Sequence, residues 1–189
     1  MFWKKGVFRV KLTEKILREE TLYEGKVINL KILDAELEDG NIAKREIVEH
    51  NGGVCVISID ENNDVLMVKQ FRMPFNKVLL EVPAGKLNKN EDIFEAAKRE
   101  FNEETGYIAN KLTYMGEFYP SVGFLTEKIH IYIGEDLVKE CQHLDDDEFL
   151  NVEKYNIDTL YNMVLKNEIR DSKTVIAIML LKNYISDRK

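Results

Sequence analysis

The stretch Gly85–Tyr107, GKLNKNEDIFEAAKREFNEETGY, decides how the chain is read. Four of the six residues from Arg99 to Glu104 are charged, and three of those are glutamates. The spacing predicts a helix over residues 90–104. Ile93, Ala97 and Phe101 fall at i, i+4 and i+8, and Phe94 lies on the same side, so one stripe is apolar. Glu100 and Glu104 share a different face, with Glu103 close beside them. Like charges at i,i+4 destabilise an isolated helix by roughly 0.2–0.5 kcal/mol, and carboxylates near a helix C-terminus oppose its dipole. A helix with only a structural role would prefer Lys there. A divalent cation relieves the conflict, because Mg²⁺ is held by a few carboxylate oxygens with water and substrate phosphate. Arg99 precedes Glu103 by one helical turn and can orient it by an ion pair. The bland alternative is a solvated acidic face.

The rest of the chain sets limits. It has 189 residues, 44% hydrophobic and 32% charged, which suits one domain or one domain plus a small appendage. The net charge of −7 argues against nucleic acid or an anionic membrane as partner. An acidic chain that binds an anionic ligand needs local Arg or Lys, or a metal ion. Cys55 and Cys141 form no CxxC and no disulfide framework, so a cytoplasmic location is expected. The N-terminal MFWKKGVFRVKLTEKI has no apolar core of signal-peptide length. His50, His130 and His143 share no ligand spacing, so no zinc site is expected.

The organisation is α/β or α+β, with a mixed sheet sandwiched by helices. Residues 8–20 read as strand followed by a short helix. VINLKILDAEL and IAKREIVEH read as strands around Asp39-Gly40, a hairpin signal. Residues 1–50 form a small antiparallel β subdomain on this reading, and 51–189 the remainder. VCVISID and VLMVKQF read as a second hairpin. VLLEVPAG reads as a short strand broken by Pro83 and Gly85. Strands follow at KLTYMGEFYP, EKIHIYIGEDL and LNVEKYN, with LDDDEF as an acidic loop. Helices close the chain near 158–167 and 172–185, and Asp171 or Ser172 is placed to cap the last one.

The spacing of the glutamates carries further meaning. Gly85, Glu91, Arg99, Glu100, Glu103, Glu104 and Gly106 match the fixed polar and glycine positions of the Nudix box, which the segment 85–107 resembles. Phe101 and Tyr107 stand where the family has bulky aliphatic residues, which keeps the bulk. The resemblance implies an α/β/α sandwich, a loop–helix–loop box and hydrolysis of a nucleoside diphosphate linked to another group, with Mg²⁺ or Mn²⁺ as substitute. It implies that Glu100, Glu104 and the carbonyl of Ala84 hold the metal, with Gly85 and Gly106 allowing tight turns at the helix ends.

The flanks are similar to ADP-ribose pyrophosphatase segments: REIVEHNGGVCVISI, VLMVKQFRMP, LLEVPAGKL, YPSVGFLTEKIHIY, DDDEFLNVEKY and EIRDSKTVIAIMLL. The resemblance covers roughly residues 22–185. The implied reaction converts ADP-ribose to AMP and ribose 5-phosphate. Members of that subgroup often carry Pro-Gly where Val122-Gly123 stands, while here Pro120 sits two positions earlier. Arg72 is a phosphate candidate, since a guanidinium fork suits phosphate oxygens; its alternative is a surface arginine. Arg45 is a second phosphate or ribose candidate, reaching across a homodimer, and its alternative is charge on an exposed strand. Glu81 would position ligand or metal, Tyr23 would stack on adenine, and Gly123 belongs to the substrate loop. Glu148 is the implied general base, with Glu127 as runner-up, while Asp145 to Asp147 read as a solvated turn. Two other readings stand beside this one. The first is a hydrolase of another nucleoside diphosphate sugar, such as GDP-mannose or an ADP-sugar. The second is a Nudix module that binds a nucleotide without cleaving it, although such modules usually lose box glutamates.

Overall fold

The computed structural model describes residues 11–144 and 148–188. They fall into two compact units: the residues up to His50 together with Ser121–Thr126, and Asn51–Pro120 together with those from Glu127 onward.

The first unit is an antiparallel sheet in the order β1-β2-β3, with β1 at Lys15–Glu24, β2 at Asn29–Glu36 and β3 at Ile42–Glu49. Asp39-Gly40 makes the β2–β3 turn. Gly40 has φ +80°, and the Asp39 carboxylate accepts the Asn41 N–H at 3.0 Å. The helix expected within residues 8–20 does not form in the described part. Lys15–Glu24 is one strand, paired with β2 from Lys15↔Glu36 to Glu24↔Asn29. Pairing with β2 along the whole strand, with register shifts at Ile16/Arg18 and Thr21/Tyr23, outcompetes the mixed local pattern; residues 8–10 lie outside the described residues. Ser121–Thr126 joins this unit through backbone bonds, Val48 N–H to Phe124 O at 2.8 Å and Thr126 N–H to Val48 O at 3.0 Å.

The second unit layers helices on both faces of a mixed sheet. That sheet has the order β7-β4-β9-β8, with β4 at Gly53–Ser58, β7 at Ala84–Lys86, β8 at Tyr107–Phe118 and β9 at Ile129–Lys139. β4 and β9 are parallel; the other pairs are antiparallel. An antiparallel sheet in the order β10-β5-β6 joins Leu150–Asn156, Asp64–Arg72 and Lys77–Glu81. The helices are α1 (Ile93–Thr105), α2 (Ile157–Leu165) and α3 (Ser172–Ser186).

β4 shows why its sequence is apolar without alternation. Val54 and Val56 pack with Ala96, Ala97 and Phe101 of α1. Cys55 and Ile57 pack with Leu160, Ile178 and Leu181 of α2 and α3. A strand covered on both faces needs an unbroken hydrophobic run. The same demand overturns the second expected hairpin. β4 pairs with β7 and β9, and β5 pairs with β6 and β10, so the turn between them joins two sheets. Asp60 stabilises that turn by accepting the Asn62 and Asp64 N–H groups at 2.9 and 3.0 Å. VLLEVPAG likewise divides: β6 ends at Glu81, and after Pro83 the chain enters β7 in the other sheet. The break is at Pro83, not at Gly85. On α1, Phe101 is buried as expected, but Phe94 is 39% exposed and meets Tyr132 edge to face. Among the described residues no helix is long and apolar enough to cross a membrane.

Candidate active site

α1 starts at Asp92, whose carboxylate accepts the N–H groups of Phe94 and Glu95 at 2.9 and 3.1 Å. It ends at Gly106, whose φ of +70° suits glycine, with its N–H on Asn102 O at 2.8 Å. The terminal carbonyls of the helix meet the segment after β9. Glu140 N–H bonds to Gly106 O at 2.7 Å, His143 N–H to Glu103 O at 3.0 Å, and the Gln142 amide to Glu104 O at 2.5 Å. These bonds satisfy carbonyls that a helix end leaves without intrahelical partners.

The carboxylates on α1 differ sharply in surroundings. Glu104 is buried, 2% exposed, and accepts the Ala84 N–H at 2.9 Å. Burial pushes its carboxyl up to about 8, and the charges of Glu148 and Glu100 push the same way. Glu100 is half-buried; burial raises its pKa as well, partly offset by Arg99. Gly85 sits inside β7, so its role is room and not a turn. A Cβ there would lie 1.9 Å from the Glu100 carboxylate carbon. Arg99 gathers the cluster. It donates to both Glu91 oxygens at 2.9 and 3.0 Å, and to Glu100 and Glu103 at 2.9 Å each. Its hydrogen bond to Glu91 leads the causes that hold its pKa above the usual arginine value.

Beside this cluster lies a second charged group. Arg72, at the end of β5, forks onto Glu81 with Nε and Nη2 at 2.7 and 2.8 Å. Glu81 is 2% exposed. The Lys173 ammonium also donates to Glu81, and to Asp171 at 2.9 Å. Burial of Glu81 works to raise its pKa, but Arg72 and Lys173 outweigh it and hold the carboxyl below the usual range. Asp171 caps α3 by accepting the Thr174 N–H at 3.1 Å and its hydroxyl at 2.6 Å. The Thr174 hydroxyl accepts the Val82 N–H at 2.9 Å. The helix end is thus tied to the chain between Glu81 and Ala84.

The second unit therefore brings together Glu81, Arg72, Ala84, Arg99, Glu100, Glu103 and Glu104. Glu148 is half-buried, and its charge reaches Glu100 and Glu104. Glu127 is half-buried just before β9. Asp145 to Asp147 lie outside the described residues. Tyr23, Arg45 and Gly123 belong to the first unit. Tyr23 is 56% exposed, Arg45 is bonded to Glu14 at 2.6 and 3.0 Å, and Gly123 has open space where a Cβ would stand. Lys173 escaped the sequence reading. One signal was available: a lysine in the first turn of α3 stands against the helix dipole, so something else must hold it there.

A divalent cation fits the α1 cluster by its chemistry. Glu104 is a buried carboxylate whose hydrogen-bond donor is a neutral amide and whose neighbours include two more carboxylates. Hard oxygen donors of this kind suit Mg²⁺ or Mn²⁺. Among the described residues, no three His, Cys, Asp or Glu side chains stand in metal-holding geometry. A backbone carbonyl and water would have to complete the donor set. A separate cavity of about 740 Å³ is lined by Asp60, Tyr107, Glu135, Lys154 and Arg188. Both of its basic groups are paired within it, Lys154 with Asp60 and Arg188 with Glu135.

A family model described as NUDIX domain matches residues 49–177. The chain belongs to the Nudix hydrolase family. Nudix hydrolases generally use a divalent metal. An ADP-ribose pyrophosphatase of Bacillus subtilis is 42% identical, covering 90% of this chain and 94% of that protein. A methanol dehydrogenase activator of Bacillus methanolicus is 41% identical, covering 89% of this chain and 92% of that protein. A crystal structure of an ADP compounds hydrolase superposes with a TM-score of 0.81 at 20% identity, over 93% of this chain and 95% of that one, which is a likeness of fold.

Proposed function

We propose that this Nudix hydrolase cleaves the pyrophosphate bond of ADP-ribose, giving AMP and ribose 5-phosphate, in a Mg²⁺-dependent reaction. One observation carries the reading: Glu104 is a buried carboxylate crowded by other carboxylates, beside an Arg72 whose fork is held by Glu81. Such a pairing suits a ligand that brings a cation and a diphosphate together. The name of the 42% identical relative supports ADP-ribose as substrate.

In this reading Glu100, Glu104 and the Ala84 carbonyl hold the metal, and Mn²⁺ substitutes for Mg²⁺. When bound, the ion polarises a phosphoryl oxygen and lowers the pKa of bound water. Arg99 keeps Glu103 and Glu100 oriented, so it and Glu103 serve the chemistry by position. Glu148 takes the proton of the attacking water; Glu127 is the alternative base. Arg72 offers Nη1 to a phosphate while Glu81 fixes its plane. Arg45, Tyr23 and Gly123 are assigned to the substrate, Arg45 by reaching across the dimer and Tyr23 by stacking on adenine. The protein works as a cytoplasmic homodimer through residues 1–50. β1 is exposed along its length and carries Ile16, Leu17 and Leu22, which a partner would cover.

A panel of ADP-ribose, ADP-glucose, GDP-mannose and dinucleoside polyphosphates, assayed with Mg²⁺, tests the reading. AMP and ribose 5-phosphate should be the products, with ADP-ribose giving the highest kcat/KM. Preference for GDP-mannose or an ADP-sugar would replace the substrate, and binding without turnover would replace the enzyme by a nucleotide-binding module.

A further inference from the structure

Lys173 sits in the first turn of α3, where the helix dipole disfavours a cation. Its side chain is only 14% exposed, so burial adds a second penalty. Burial works to lower its pKa, yet Asp171 and Glu81 outweigh it and the ammonium stays charged. Two carboxylates thus keep a lysine charged where both dipole and burial oppose it. Only one of them is needed for the α3 cap, which Asp171 makes with the Thr174 N–H and hydroxyl. The contact to Glu81 has no such use. Glu81 also holds Arg72 through both of its oxygens.

The charge balance shows what the contact does. Without Lys173, the full charge of Glu81 would fall on Arg72, and a buried carboxylate would pull the guanidinium toward itself. With Lys173 sharing Glu81, the carboxylate is divided between two cations. Arg72 keeps its plane through Nε and Nη2, yet retains positive charge toward solvent, where its side chain is 36% exposed. A planar guanidinium held by one edge presents its remaining N–H groups in a fixed direction, which suits a phosphate oxygen.

We propose that Lys173 is a positioning residue for diphosphate binding. It divides the charge of Glu81 and so leaves Arg72 able to take a phosphate. This rests on the reading of Arg72 as a phosphate contact given above. Residues in one ion-pair network couple by amounts that correspond to about a tenfold change in affinity.

The test is a double-mutant cycle read by ADP affinity in calorimetry. ADP tests the diphosphate contact without requiring that ADP-ribose be the substrate. Lys173→Met should weaken ADP about tenfold in the otherwise native chain and have no further effect in an Arg72→Ala background. A lysine that merely holds the helix end would lower Tm without this loss of additivity. Equal weakening in both backgrounds, no weakening in the native one, or no ADP binding by the native protein would overturn the proposal. Should Lys173→Met fail to fold, Lys173→Gln repeats the cycle, since its amide still donates to Glu81 without the charge. A native protein that shows the coupling but spares ADP-ribose would overturn the substrate reading and support this one.

Discussion

Glu81 and Glu104 are equally buried, each 2% exposed, and titrate in opposite directions. Glu81 has Arg72 and Lys173 against it and is held below the usual carboxylate range. Glu104 has a neutral amide for hydrogen-bond donor, carboxylates for neighbours, and a pKa pushed up to about 8. Burial alone therefore does not set the charge of a carboxylate; the placement of cations does. Glu81 is an anion that the protein neutralises itself, through Arg72 and Lys173. Glu104 is short of positive charge, a shortage that a cation from outside would relieve.

Glu148 stands on the Glu104 side of this contrast, since its charge acts on both Glu100 and Glu104. Glu148→Gln should lower kcat by roughly 10²–10⁴-fold with little change in KM, as expected for a base that acts on water and not on substrate. A comparable loss in Glu127→Gln with Glu148→Gln intact would move the base to Glu127.

Glu104→Gln should lower turnover at saturating Mg²⁺ by roughly 10²–10³-fold. It should also change the pH dependence of stability. Because the folded pKa of Glu104 lies near 8 against an ordinary 4.5, the native state holds a proton that the unfolded state releases. Its stabilising effect is full below about 4.5 and is lost as pH rises through about 8. The Tm of metal-free protein should carry a contribution that falls over that window. Glu104→Gln should remove it, and Mg²⁺ should offset it. Glu81 contributes with the opposite sign: its stabilisation is present above the ordinary carboxylate pKa and is lost as pH falls through its lowered folded value. An unchanged pH slope in Glu104→Gln would break the contrast.

Arg72→Ala should raise KM for the nucleotide by roughly 10–100-fold, the range for a lost hydrogen bond to a charged group. It also leaves Glu81 with Lys173 as its remaining cation, so Tm should fall. An unchanged KM would return Arg72 to a purely structural part in the Glu81 network.

The smallest effect belongs to the helix caps. Asp92 bonds two backbone N–H groups at the start of α1. Asp92→Ala should cost about 1 kcal/mol of stability, measured by denaturant unfolding, and leave kcat unchanged. A large fall in kcat would mean that the cap sets the geometry of Glu100 and Glu104, ten or so residues along the helix.

The sequence by itself determined the features that depend on neighbours within a few residues. The periodicity of α1, the turn at Asp39-Gly40, the cap at Asp171 and the Arg99–Glu103 pair all follow from spacing along one element. The family is legible for the same reason, because the box is a local pattern of glycines and carboxylates. Tertiary structure decided what depends on distant partners. VCVISID and VLMVKQF have the local form of a hairpin, yet each is claimed by other strands. Gly85 has the local form of a turn residue, yet it is glycine to make room for Glu100. Nothing in the spacing distinguishes Glu104 from Glu100, or gives Glu81 its two cations. Ala84 meets Glu104 across 20 residues, and Lys173 meets Glu81 across 92. Dihedral preference and side-chain periodicity act over a turn or two of chain, whereas burial and charge are set by whatever the fold brings alongside.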